Sequence, residues 1–125
     1  VTGMVEDMRP FLRRATAAVA PLTYGAGIQN KVLEAMACST PVIASPQAVG
    51  ALSAESGRDL LVAHDAPDFS TRILDLLDDT GRQLSLGTQG RDYVESHHNW
   101  QAIAVRLEEI YRSVAHQSRL KGTEQ

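Results

Sequence analysis

The spacing of apolar positions changes several times along this chain, and each change predicts an element. The run Ala17-Ala18-Val19-Ala20-Pro21-Leu22 is uniformly apolar rather than alternating, as in a strand covered by helices on both faces of a parallel sheet. Val42-Ile43-Ala44 and Asp59-Leu60-Leu61-Val62-Ala63 read the same way. Between the first two strands a helix is predicted from about Ile28 to Cys38, with Ile28, Val32, Ala35 and Met36 on one side and Asn30, Lys31, Glu34 and Cys38 on the other. Thr40-Pro41 ends it, because the residue before proline avoids the helical region.

Ahead of the first strand, Asp7 is expected to cap a short helix from about Pro10 to Ala15, with Phe11, Leu12 and Ala15 as its apolar face. Residues 46 to 58 read as an irregular loop or a short helix, with Gly50 and Gly57 at turns. Pro67 opens a helix whose Phe69, Ile73, Leu76 and Leu77 form a stripe. Another helix is predicted from about Arg82 to Glu95, with Leu84, Tyr93 and Val94 inward. Gly87 and Gly90 weaken it by roughly 1 kcal/mol each relative to alanine. Trp100, Ile103, Ala104, Leu107, Ile110, Tyr111 and Val114 define a last amphipathic helix, before a solvated tail from Ser118 to Gln125.

Strands alternating with helices predict an α/β, Rossmann-like parallel sheet with flanking helices. The expected organisation is one partial domain over residues 1–117, with a final helix at about 100–117 and a flexible tail at 118–125. Three strands and the strand end at Val1-Thr2-Gly3 make a thin sheet. They predict an incomplete sheet whose first strands precede Val1, and therefore an exposed edge along Ala17–Leu22.

Composition removes several functional classes. At 125 residues, 43% hydrophobic and 22% charged, the chain is an ordinary globular size and mixture. A formal charge of -3 lacks the basic footprint of a nucleic-acid binder. Cys38 is the single cysteine, which excludes an internal disulfide and a multi-cysteine zinc site. No metal and no cofactor is expected. No apolar run approaches the ~20 residues of a membrane helix.

Candidate chemistry concentrates in Gly25 to Pro41. Strand, glycine turn, helix and strand form the βαβ unit that binds phosphates. Gly25 and Gly27 can adopt positive φ, and the N–H groups of residues 26 to 29 would face a diphosphate at the positive end of the helix. A tight turn with no ligand is the plainer reading. Neither a P-loop nor a G-x-G-x-x-G fingerprint is present, since Asn30 stands at the third glycine. Glu34, six residues beyond Ile28, would lie roughly 9 Å down the axis, where a ribose attached to that diphosphate would fall. A carboxylate accepting from two vicinal hydroxyls makes strong hydrogen bonds. The alternative is a Lys31–Glu34 surface pair, and spacing alone leaves both open.

Lys31 could reach the diphosphate, although a solvated or Glu34-paired lysine is the simpler expectation. His64 and Asp65 read as a surface turn, and the adjacent His97 and His98 lack a third metal ligand. Cys38 sits near a helix C-terminus and is not expected to serve as a nucleophile.

Pro21-Leu22 followed by Gly27, Leu33-Glu34-Ala35-Met36-Ala37-Cys38 and Thr40-Pro41-Val42 resemble the C-terminal, donor-binding half of the GT-B fold, in the retaining group-1 (family 4) glycosyltransferases. Gly3 with Val5, Leu12, the Asp59–Val62 strand and Asn99-Trp100 match in order, so the resemblance covers essentially the whole chain. It is nearest to sugar transferases linked to exopolysaccharide export. The resemblance implies an enzyme of polysaccharide biosynthesis that moves a glycosyl group from a nucleoside diphosphate sugar to a hydroxyl acceptor. It implies Glu34 on the donor ribose, Gly25, Ala26, Gly27 and Ile28 facing the diphosphate and sugar, and Gly3, Met4 and Val5 at the nucleobase. One departure stands out: the first glutamate of the family's E-x7-E motif is replaced by Ala26. The catalytic residues stay unassigned.

On this reading the partners are a nucleotide-sugar and an N-terminal domain of the same protein. This segment alone is expected to be inactive, and the location cytoplasmic or peripheral to the inner face of the membrane. Two alternatives remain. One is another GT-B enzyme such as a nucleotide-sugar 2-epimerase; the other is a non-catalytic α/β module that self-associates through the exposed edge or last helix.

Overall fold

The computed structural model describes residues 2–25, 27–99, 101, 104–105, 107–110 and 112. The elements in order are α1 (Arg9–Arg14), β1 (Ala18–Ala20), α2 (Asn30–Ala37), β2 (Val42–Ala44), α3 (Pro46–Val49), β3 (Leu61–Val62), α4 (Ala66–Leu77) and α5 (Thr80–His97). The strands form a parallel sheet of order β1-β2-β3, with Ala18 opposite Val42 and Ile43 opposite Leu61. The expected Rossmann-like α/β class is therefore observed. Contacts divide the chain into two units, Val1–Val94 and Glu95–Gln125.

Alternation along β2 sends its side chains to two cores. Val42 and Ala44 pack with Val32, Ala35 and Met36 of α2 and with Tyr93. Ile43 joins Leu61, Ala63, Leu76 and Leu86 on the other face. All three β2 residues are buried, as a uniformly apolar strand between helices requires. β1 departs from that expectation: Val19 is 46% exposed. It lies at the end of the strand order, so only one of its edges is paired among the described residues.

Several boundaries also depart from the sequence reading. Asp7 does not cap α1; Met8 holds that position without a side-chain bond. The Asp7 carboxylate instead accepts from the Arg9 backbone N–H at 2.9 Å and pairs with its guanidinium. These bonds hold the carboxyl below its usual range. Of the expected α1 face only Leu12 turns partly inward, while Phe11 and Ala15 are exposed. The third strand shortens to Leu61–Val62, with Leu60 in an isolated bridge to Ser56. The 46–58 segment begins with the short helix α3; Gly50 is its C-cap in a turn with φ -59, and Gly57 turns the chain with φ +90. Thr2 and Gly3 form no strand, and Val1 lies outside the described residues.

In α4, Asp65 is the N-cap and accepts from Asp68 N–H, while Asp68 accepts from His64 N–H. This reciprocal capping gives His64 and Asp65 the plain turn role expected of them. Leu76 is buried, with Phe69 and Ile73 packed beside it, but Leu77 is exposed. In α5, Leu84 is 74% exposed and Leu86 takes the inward position. Gly87 and Gly90 are both buried. In the last segment Ala104, Leu107 and Ile110 are helical and exposed. Trp100, Ile103, Tyr111, Val114 and the tail fall outside the described residues.

The end of α2 fixes the turn into β2. Ser39 N–H donates to Met36 and Thr40 N–H to Ala35, the paired bonds of a Schellman cap. Ser39 takes the left-handed position, φ 59, where glycine is usual. A side chain in that region costs about 1–2 kcal/mol, against about 0.4–1 kcal/mol that glycine adds to the entropy of the unfolded chain. The first term wins. Ser39→Gly is expected to stabilise the protein by about 0.5 kcal/mol, read as a higher denaturation midpoint; a lower midpoint would refute the cap account.

Candidate functional site

Two polar bonds tie the site to the sheet. Ser45 Oγ donates to the Leu22 carbonyl at 2.6 Å, fixing the chain leaving β1 against the end of β2. Thr40 Oγ1 donates to the Leu12 carbonyl at 2.7 Å, fixing α1 against the turn after α2. Between these anchors runs a groove of about 610 Å³, with Val19, Pro21 and Leu22 on one wall and Gln29, Lys31 and Glu34 on the other.

The helix of this site starts later than predicted. Gln29 is its N-cap, with extended backbone (φ -87, ψ 99) and no side-chain capping bond. The Gln29 carbonyl accepts from Val32 and Leu33 N–H. The amides open to an anion are therefore those of Asn30 and Lys31, which have no acceptor among the described residues, rather than those of residues 26 to 29. Glu34 lies four residues beyond Asn30, about 6 Å along the axis. That replaces the expected 9 Å.

The glycines divide their work. Gly27 has φ +76, with nothing near where a Cβ would stand. Gly25 is not in the positive-φ region; a Cβ there would meet Gln29 Nε2 at 3.2 Å and the Gln47 carbonyl oxygen at 3.4 Å. Ile28, expected to begin the helix, precedes it and is 50% exposed. Ala26 lies outside the described residues.

Glu34 and Lys31 are both exposed, and they do not pair with each other among the described residues. Both residues line the groove, and neither side chain makes an ion pair with a described residue. Glu34 also borders a second hollow, about 450 Å³, whose lining includes Glu6, Asp7, Arg9 and Cys38. Gly3 and Met4 are exposed and Val5 is half-buried; none of the three lines either space, although the segment leads directly into Glu6. Two residues at the site were missed by the sequence reading. Tyr24 is 86% exposed beside the glycine turn, and Gln29 borders both the groove and a hollow next to that tyrosine.

Burial lowers the pKa of His98, and the neighbouring His97 lowers it further. No group of three or more His, Cys, Asp or Glu could hold a metal among the described residues. No described helix is long and apolar enough to cross a membrane.

Comparison with known proteins relates this chain to sugar-transferring enzymes. The model of the family described as glycosyl transferases group 1 matches residues 1–79. A D-inositol 3-phosphate glycosyltransferase of Corynebacterium aurimucosum is 37% identical over 97 residues, covering 74% of this chain and 22% of that protein. A GDP-mannose-dependent monoacylated alpha-(1-6)-phosphatidylinositol monomannoside mannosyltransferase of Corynebacterium glutamicum is 34% identical over 88 residues, covering 70% of this chain and 23% of its own. Among solved structures, the sucrose-phosphate synthase of Thermosynechococcus elongatus superposes with a TM-score of 0.73 at 29% identity, over 88% of this chain and 28% of that one. The chain thus spans less than a third of the length of these relatives.

Proposed function

Because the chain belongs to the group 1 glycosyl transferases, we propose that it forms the donor-binding part of an enzyme that transfers a glycosyl group from a nucleoside diphosphate sugar to a hydroxyl acceptor with retention. One observation carries the reading. Lys31 and Glu34 line one groove. The Asn30 and Lys31 N–H groups that open α2, with no acceptor among the described residues, stand about 6 Å along the axis from Glu34, whose carboxylate makes no ion pair with a described residue. The amides of Asn30 and Lys31 suit a diphosphate, with the Lys31 side chain as an added cation. The Glu34 carboxylate suits the ribose hydroxyls. The name of the C. glutamicum relative, which states dependence on GDP-mannose, agrees with a donor of this class.

The chemistry asked of this segment is electrostatic. When the glycosidic bond breaks, negative charge grows on the departing diphosphate. Fixed N–H dipoles at a helix start stabilise that charge without reorganising. Gly27, with its positive φ and no side chain, lets the ligand approach the turn. Acceptor recognition and closure of the cleft belong to polypeptide outside this segment. Glu6 lines a hollow with Glu34, and the preceding Gly3, Met4 and Val5 are the segment proposed to meet the base attached to the ribose.

Titration calorimetry of the intact protein tests the reading. UDP or GDP is expected to bind at least about tenfold more tightly than its monophosphate, because the second phosphate meets the Asn30 and Lys31 amides. Failure of UDP, GDP, UDP-glucose and GDP-mannose alike to bind at millimolar concentration would overturn it.

A further inference from the structure

Gly25 has no backbone need to be glycine, since its φ is not positive. What its missing side chain provides is room. The Gln29 carboxamide packs onto the turn there, 3.2 Å from where a Cβ would stand. Gln29 is half-buried, and its side chain makes no hydrogen bond with the described residues. It borders both the groove that carries Glu34 and a hollow of about 440 Å³ walled by Pro21, Leu22, Thr23, Tyr24 and Gly25.

We infer that Gln29 hydrogen-bonds the hydroxyls of the transferred glycosyl group and so selects the sugar carried by the donor. The inference rests on the donor-site reading above. Order along the chain supports the assignment. Glu34 follows the amides of Asn30 and Lys31, which have no acceptor among the described residues, and Gln29 precedes them. In a nucleotide sugar, the ribose and the glycosyl group likewise lie on opposite sides of the diphosphate. With the ribose on Glu34, the sugar falls on the Gln29 side, in the hollow beside Tyr24.

The chemistry of the side chain favours a sugar over a phosphate. A carboxamide offers two donor hydrogens and an acceptor oxygen, which match a pair of hydroxyls. A phosphate only accepts, so half of the group would go unused. A half-buried carboxamide without a partner among the described residues also gains most from a ligand that satisfies both of its ends.

The test compares UDP with UDP-glucose, and GDP with GDP-mannose, on the intact wild-type protein, Gln29→Ala and Gly25→Ala. For whichever sugar nucleotide binds the wild type, Gln29→Ala is expected to weaken it about five- to tenfold and to leave the matching nucleoside diphosphate within twofold. Gly25→Ala, which displaces the carboxamide without removing it, is expected to shift the same ratio in the same direction by a smaller factor. Equal losses for diphosphate and sugar nucleotide would overturn the inference, because Gln29 would then serve the diphosphate or the turn. Unchanged affinities would also overturn it. If the wild type binds none of the four ligands, the donor-site reading itself fails and this inference falls with it.

Discussion

Replacing Gly87 with alanine is expected to destabilise the protein by about 2 kcal/mol, although alanine is the better helix former by about 1 kcal/mol. The reason is a backbone-to-backbone contact. A Cβ on Gly87 would overlap the carbonyl oxygen of Ser39, in the Schellman turn that ends α2. One turn further on, a Cβ on Gly90 would stand 2.9 Å from the Asp59 carbonyl oxygen. Both obstacles are main chain, so no rotamer change relieves them. Either α5 moves away from the sheet, uncovering Leu86 and Tyr93, or the turn into β2 is displaced. Overpacking of this kind costs typically 1–3 kcal/mol, and a rigid neighbour puts Gly87 at or above the top of that range before helix propensity offsets part of it. Gly81, in the same helix, has only the Asp79 carboxylate at 3.5 Å, so Gly81→Ala should be neutral or slightly stabilising. Chemical denaturation of the two variants is the measurement. Equal midpoints for both would sink the close-packing account.

The same contact explains which parts of the fold the sequence conceals. A helix whose docking face is made of glycine has no apolar stripe there, so the spacing in α5 points to Leu84 while the fold buries Leu86. The glycines read as weaknesses are the surface on which two elements meet. β2 was legible because three apolar residues follow Thr40-Pro41 and nothing competes with burial on both faces. β1 has the same apolar character, yet Val19 stays half in solvent because burial of a strand depends on neighbours that its own residues do not encode. At the site, the apolar side chain of Ile28 fits the helical spacing of Val32 and Ala35. The spacing therefore extends the helix over two residues that the structure leaves outside it. That small error hid Gln29, a capping residue rather than a helical one, and placed the expected amides at residues 26 to 29 instead of at Asn30 and Lys31. Glu34 survived the shift because it faces away from Val32, Ala35 and Met36 under either boundary. Its place in the groove was legible from the sequence; what it binds is a question of ligand chemistry.

That question has a sharp expected answer. Glu34→Ala should weaken nucleoside diphosphate binding by about 10- to 100-fold, the range for losing charge-assisted hydrogen bonds of about 1.5–3 kcal/mol. The fold should be indifferent. Glu34 is exposed, its side chain bonds to no described residue and leaves none stranded when removed, and alanine is a good helix former at a mid-helix position. An unchanged melting temperature alongside lost affinity would separate ligand binding from structure. The hydroxyl itself can be tested with 2′-deoxyuridine diphosphate or 2′-deoxyguanosine diphosphate, matched to whichever base the wild type prefers. If the carboxylate accepts from the ribose 2′-hydroxyl, the wild type should discriminate against the deoxy nucleotide, and Glu34→Ala should bind both forms alike. The coupling between the two deletions measures the contact directly. Discrimination that persists in Glu34→Ala would place the ribose elsewhere. In that case the Glu34 carboxylate would have to be explained by the hollow it shares with Glu6 and Arg9, rather than by the end of the diphosphate.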